Sequence, residues 1–295
     1  MKPKVTIGVC VRNCQDTISE AIQSILTQDF PHELMEIIFV DESEDNTLSI
    51  IKECASKVDM KIKIFHYKGK GLGYSRNVVV NNAHGDYIVW VDGDNVLPPD
   101  HVRKQVEFME GNPNVGIGKA RYMMPKESLV AILENIPFMV SDKKPEIKTL
   151  KLPGTAGTIC RLEVIKQAGG FDSDLKGTGE DQDVAYRVAA MGLLISRTPA
   201  FFYERRVNTW RKLWNKYFWY GYGDHDLYCK NRKIFSLYRM NPLAGFIAGA
   251  LYIHDAYELT NYKVVFLLPF HFAFKMFAWC LGFAKAHVDF ERKNT

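Results

Sequence analysis

The sequence predicts an α/β protein: a mostly parallel sheet flanked by helices, followed by an apolar, helical C-terminal extension. Three observations carry this. Buried-strand and helix patterns alternate from Val5 to Val91, acidic residues gather just past the predicted strands, and the two most apolar stretches come after residue 241.

Residues 5–11 form a β-branched apolar run, too continuous for a half-exposed strand and suited to a parallel one covered on both faces. Thr17 and Glu20 read as a capping box opening a helix that runs through Leu26. Residues 36–40 give a second buried strand, followed by a polar turn and a helix at 47–57. A third strand at 61–67, a helix at 74–82 and a fourth strand at 87–91 continue the series. Strand–helix–strand repetition at this spacing implies parallel crossovers. Ligands of such sheets sit beyond the carboxyl ends of the strands. Asp41, Asp92 and Asp94 all fall there.

Past Pro99 the pattern loosens. Residues 154–160 are small and strand-like, 181–191 helical, 193–196 a short apolar strand, and 203–222 an aromatic, basic helix. The expected division is a catalytic domain over 1–223 and a basic, apolar helical extension over 224–295.

A chain of 295 residues with 47% apolar and 24% charged residues can bury a sizeable core, which excludes global disorder. The net charge is only +4, but residues 201–240 hold nine Lys/Arg against three Asp/Glu. Basicity is therefore concentrated in the C-terminal third. The six cysteines form no CxxC pair, which argues against zinc and disulfide frameworks and for a reducing compartment. A polar, strand-like segment follows Met1 without the layout of a signal peptide, so the N-terminal part is expected to fold in the cytoplasm.

Val89-Trp-Val-Asp92-Gly-Asp94-Asn is the sharpest chemical signal. Paired carboxylates at the end of a buried strand are costly unless a cation neutralises them. Oxygen ligands of this kind suit Mg²⁺ or Mn²⁺ shared with substrate phosphates. An ordinary polar turn also carries Asp-Gly. Gly177-Thr-Gly-Glu180-Asp181-Gln-Asp183 is the second signal; acids at a helix N-terminus also simply complement its dipole. In Gly71-Leu-Gly-Tyr-Ser-Arg76-Asn77 a flexible loop delivers an arginine to a helix start, where it can meet diphosphate oxygens. This is neither a Walker loop nor a GxGxxG fingerprint.

Together these motifs resemble glycosyltransferase family 2 over residues 4–223. The resemblance includes Val5-Thr-Ile-Gly-Val-Cys-Val-Arg-Asn13, Ser24-Ile-Leu-Thr-Gln28, Val40-Asp-Glu-Ser-Glu-Asp-Asn-Thr47, Gly169-Gly-Phe-Asp172 and Tyr220-Gly-Tyr-Gly223. It implies a GT-A (Rossmann-like) fold and inverting transfer from a nucleoside-diphosphate sugar. It further implies that Cys10, Arg12 and Asp41 hold the base, and that Asp92 lies near ribose and metal. Asp94 would ligate the metal, and Arg76 would contact the diphosphate. Asp181 would be the catalytic base, with Glu180 near the acceptor. Many relatives carry a histidine before the aromatic tract, where this chain reads Phe202-Tyr-Glu-Arg-Arg206. Glu204 as an oxygen ligand, or Arg205, Arg206 and Arg211 as phosphate or acceptor contacts, stand as alternatives. The QxxRW signature of processive synthases is missing, which argues against polymerisation.

The family analogy leans towards a GDP-mannose or UDP-glucose type of donor and a lipid-linked or polyprenol acceptor. Two other classes compete. A sugar-nucleotide-forming nucleotidyltransferase wants a glycine-rich basic loop after the first strand, where this chain has Val11-Arg-Asn-Cys-Gln15. A catalytically inactive nucleotide-sugar-binding module has no need of Asp92, Asp94 and Asp181 together.

Residues 264–284 are about long enough to span a bilayer. A central lysine in such a span costs about 2.5–3.5 kcal/mol, and Lys275 occupies that position. His271, Lys275, Ala278, Gly282 and Lys285 share one helical face, and Phe272, Met276, Phe277, Trp279 and Phe283 lie opposite. That amphipathic pattern fits an interfacial helix, or a helix packing its aromatic side on the protein's own core. The basic tract before it fits an anionic leaflet, which gives a membrane surface at the cytoplasmic face as the expected partner. No nucleic-acid module accompanies these charges.

Overall fold

The computed structural model describes residues 2–58, 60–123, 128–142, 153–175, 177–205 and 207–294. The chain divides into two compact units.

The first unit comprises Met1–Met123, Glu146–Asp174 and Glu180–Glu204. Its strands are β1 (Val5–Val11), β2 (Met35–Asp41), β3 (Lys61–His66), β4 (Tyr87–Trp90), β5 (Asn95–Val96), β6 (Val115–Tyr122), β7 (Thr158–Arg161) and β8 (Leu194–Glu204). They form one sheet in the order β3-β2-β1-β4-β7-β6-β8-β5. The β3-β2-β1-β4 half is wholly parallel, as the alternating pattern predicts. Beyond it β7 runs antiparallel to both β4 and β6, while β6 and β8 are parallel.

Helices α1 (Ile18–Leu26), α2 (Thr47–Ala55), α3 (Leu72–Asn82) and α4 (His101–Gly111) belong to this unit, as do α6 (Leu162–Gln167) and α7 (Glu180–Ala190). Helix α5 (Leu129–Asp142) belongs to the second unit. Both sheet faces are covered. Val5, Ile7 and Val9 pack with Ile18, Ile22 and Ile25 of α1 on one side. Ile38, Val40, Ile88 and Trp90 pack with Val79 of α3 and Val184 and Val188 of α7 on the other. Gly8 is required within β1, because a Cβ there would stand 2.8 Å from the Trp90 ring.

Three expectations are corrected. Thr17 is the N-cap of α1, but its side chain makes no cap and its Oγ1 donates to the Cys14 carbonyl at 3.3 Å, so the capping box does not form. Residues 193–196 are only the start of β8, which continues to Glu204. Tyr203 and Glu204 are therefore strand, and the helix predicted over 203–222 begins at Trp210. Strand β6 was hidden because Gly116 and Gly118 thin its apolar pattern. A Cβ at either would stand within 2.8 Å of Val188 or Thr198, so glycine makes the close packing possible.

The second unit, with Met124–Pro145, Leu175–Gly179 and Arg205–Thr295, is helical. It holds α5, α8 (Trp210–Lys230), α9 (Pro242–Thr260) and α10 (Leu268–Asn294). Thr209 caps α8 by accepting from the Lys212 amide at 3.2 Å. The boundary drawn at residue 223 falls inside α8. Helix α10 crosses α8 at glycines: a Cβ on Gly221 would stand 1.9 Å from the Trp279 carbonyl oxygen, and one on Gly282 would stand 2.0 Å from that of Phe218.

The amphipathic reading of α10 holds only in part: Trp279 of the aromatic side is buried and Lys285 of the polar side is exposed, but two polar-face residues turn inward. His271 and Lys275 are buried, and both meet the Glu134 carboxylate of α5, at 2.9 and 2.8 Å. Tyr217 of α8 adds a third bond to it at 2.7 Å. A carboxylate with three donors is well satisfied inside an apolar bundle. Phe270, Phe277 and Leu281 of α10 are exposed instead. Among the described residues, Lys263–Arg292 is long and apolar enough to cross a membrane.

Candidate active site

The parallel strands deliver the acidic residues to one edge. Strand β1 ends at Cys10 and Val11, with Arg12 exposed just beyond. Strand β2 ends at Asp41, and β4 runs into Asp92 and Asp94. Gly93 between these two carboxylates is demanded by packing, since a Cβ would stand 2.6 Å from Cys14 Sγ and 3.0 Å from Val11. Asn95 then pairs with Glu204, so the end of β8 lies beside the Asp92–Asp94 turn.

Asp41 is fully buried. Its Oδ2 meets His66 Nδ1 at 2.7 Å, while Oδ1 has no hydrogen-bond partner. A buried acceptor left open is costly and is suited to a ligand N–H. Burial also pushes the neighbouring Cys10 thiol up to about 12, which keeps it neutral.

Asp92 sits among opposing charges. Burial pushes its carboxyl up, Arg76 and Lys119 pull it down, and Glu204 and Asp181 push it up again. No ion pair ties it to a lysine or arginine among the described residues. Asp181 is half-buried at the start of α7 and accepts from the Gln182 amide at 2.8 Å. It lines a cavity with Trp90, Gly154, Thr155 and Phe171. A Cβ on Gly154 would stand 3.3 Å from Asp181 Oδ2, so the 154–157 segment lies against this carboxylate.

Arg76 differs from its sequence reading. It lies a full turn inside α3, not at the helix start. Its guanidinium donates to the Glu180 carboxylate and to Thr155 Oγ1, with the Trp90 and Phe171 rings 6.0 and 5.6 Å away. Glu180 is buried alongside it with Oε2 unpartnered; burial pushes its carboxyl up and Arg76 draws it back. The structure thus brings Cys10, Asp41, Arg76, Asp92, Asp94, Glu180, Asp181 and Glu204 to one unit. Arg205 and Arg211 are exposed in the helical unit, and Arg206 lies outside the described residues.

Lys119, His66 and Thr155 carried no sequence signal, while Glu42 lies inside the motif at residues 40–47 with no role read for it. Lys119 and His66 reach the site only through strand order. Thr155 holds Arg76. Glu42 accepts from the Gly71 amide at 3.2 Å and from Ser75 Oγ at 2.5 Å, fixing the start of α3. Among the described residues no three His, Cys, Asp or Glu side chains form a complete metal cage.

Comparison with known families decides the membership. The glycosyl transferase family 2 model matches residues 6–162, more than half of the chain. The chain belongs to glycosyl transferase family 2. The related family group 2 model matches residues 87–284. The Bacillus subtilis protein EpsE is 39% identical over 110 residues, 37% of this chain and 39% of EpsE. TarS of Staphylococcus aureus, a poly(ribitol-phosphate) β-N-acetylglucosaminyltransferase, is 29% identical over 108 residues, 36% of this chain and 19% of TarS. The matched stretches thus span well under half of these relatives. A mannosyltransferase of Pyrobaculum calidifontis, solved with GDP-Man and Mn²⁺, superposes with a TM-score of 0.69 at 18% identity, covering 96% of this chain and 88% of that one. Such a likeness establishes the GT-A fold.

Proposed function

We propose that this family 2 member is an inverting hexosyltransferase that moves a sugar from a nucleoside diphosphate to a lipid-linked or polyprenol hydroxyl at a membrane surface. The observation that carries this reading is the Asp92–Asp94 turn at the end of β4, set beside Glu204 by the Asn95–Glu204 pair, with Asp181 at the start of α7 in the same unit.

Asp41 Oδ1, buried and open, accepts an N–H of the donor base, with the backbone at Cys10 and Arg12 flanking it. Asp92 and Asp94, with Glu204 across the β5–β8 pair, offer oxygen ligands only, a donor set that fits Mg²⁺ or Mn²⁺. Asp92 and Asp94 would hold such an ion, leaving its other ligands to water and donor phosphates. Held there, a divalent cation would supply positive charge against the negative charge developing on the leaving diphosphate. Asp181 takes the proton from the attacking hydroxyl, typically a 10²- to 10⁴-fold effect. Arg76 and Glu180 are positioning residues: their buried pair fixes the start of α7, and with it Asp181. Relatives solved with GDP-Man and with UDP-GlcNAc support a nucleotide-sugar donor.

The membrane reading is supported by the outward face of α9, where Leu243, Ile247 and Leu251 are 70%, 53% and 75% exposed. Phe270, in ring contact with Phe246 of α9, is exposed beside it, and Phe266 and Phe277 are exposed as well. Monomeric proteins rarely expose so much contiguous apolar area without a partner. The basic tract of α8 and the residues after it suits anionic headgroups, which supports a cytoplasmic membrane face as the working location.

Incubating the protein with GDP-mannose, UDP-glucose or UDP-GlcNAc, polyprenol-bearing vesicles and Mn²⁺ tests this. Release of the nucleoside diphosphate with an inverted glycosyl lipid is expected. Nucleoside monophosphate or pyrophosphate products would point to nucleotidyl transfer instead, and tight donor binding without turnover to a binding module.

A further inference from the structure

Lys119 on β6 is 7% exposed, and its ammonium meets no carboxylate at ion-pair distance among the described residues. Its Nζ donates to the carbonyls of Gly154, at 3.1 Å, and Ala156. The Tyr122 and Phe202 rings lie 5.1 and 5.2 Å away. A buried cation satisfied by neutral carbonyls and ring faces is a costly way to fill space. An apolar side chain would pack the same position at lower cost.

What Lys119 holds explains its presence. The 154–157 segment is tied to the sheet at Gly157, whose amide donates to Trp90 O at 3.2 Å and whose carbonyl accepts from Ala120 N at 2.9 Å. Arg76 takes Thr155 Oγ1 from the α3 side. Gly154, against Asp181, has the Lys119 ammonium as its anchor.

We propose that Lys119 is a positioning residue: it pins the carbonyls of Gly154 and Ala156 so that the segment forms a fixed wall beside the Asp181 carboxylate. The inference rests on reading Asp181 as the base. Fixing the wall fixes where the attacking hydroxyl sits, and misplacement of about 1 Å can cost on the order of 10²-fold in rate. Lys119 acts on Asp92 only through its charge; its hydrogen bonds go to the Gly154 and Ala156 carbonyls and to none of the residues assigned to base, metal or diphosphate.

Hydrogen exchange and steady-state kinetics on Lys119→Met and Lys119→Arg in the full chain test this. In Lys119→Met the amides of 155–158 should exchange about tenfold faster or more, with β1 and β2 amides unchanged. Its kcat should fall about 10- to 100-fold at nearly constant donor KM, and Lys119→Arg should recover much of both. Should Lys119→Met not fold, Lys119→Gln carries the same comparison. Unchanged exchange at 155–158, or faster exchange with wild-type kcat, overturns the proposal. Faster exchange in a protein whose wild type transfers no sugar supports the anchoring and overturns the assigned reaction.

Discussion

Arg76 donates to Glu180 from inside the fold, each side chain almost fully buried, so a residue of α3 holds the first turn of α7 in place. The neighbouring Asp181 inherits its position from that pair.

Breaking a buried pair leaves an uncompensated charge and costs about 3–5 kcal/mol. Arg76→Met should therefore lower stability by about that much in urea titrations. Arg76→Met with Glu180→Leu should recover most of the loss, because no orphan charge remains. Both proteins should transfer sugar poorly, since α7 is no longer registered on α3.

Asp92 has a carboxyl held above its usual value, chiefly by burial. A native pKa raised above the unfolded one means that the unfolded state releases its proton first as pH rises. The residue then costs stability above the native pKa and nothing below the unfolded value, about 3.9. In metal-free buffer Asp92→Asn should melt higher than wild type at pH 7–8, and the two should converge near pH 4. Thermal melts across that range check the sign.

Gly221 has no room for a side chain, its Cβ position lying 1.9 Å from a backbone oxygen of α10. Gly221→Ala must push the helices apart and should cost at least the roughly 1–3 kcal/mol of ordinary overpacking. Chemical denaturation followed by Trp fluorescence reads this.

The outward face of α9 should carry vesicle binding. Leu243→Ser, Ile247→Ser and Leu251→Ser combined should leave the melting temperature nearly unchanged while reducing sedimentation with anionic liposomes at least about tenfold, at about 0.8 kcal/mol per buried methylene.

The parallel half of the sheet was legible because β1, β2 and β4 are buried on both faces and so read as continuous apolar runs. The β6–β8 half was not. Gly116 and Gly118 break the β6 pattern, and β8 continues past Pro199 as an alternating strand that its basic, aromatic end disguised. Asp41, Asp92 and Asp94 were legible for the same reason, since a carboxylate ending a buried strand stands out. Lys119 was not, because only strand order brings it to Gly154. The inside of α10 was misread because the group that buries His271 is Glu134, 137 positions away. Periodicity reports which residues share a face, not which face meets the core.

Titration calorimetry of GDP and UDP with and without Mn²⁺, on wild type, Asp94→Ala and Asp181→Asn, tests the central claim most directly. Metal-dependent binding is predicted for wild type, its loss in Asp94→Ala, and its retention in Asp181→Asn together with loss of transfer. Nucleotide binding that is indifferent to both Mn²⁺ and Asp94 would contradict the account.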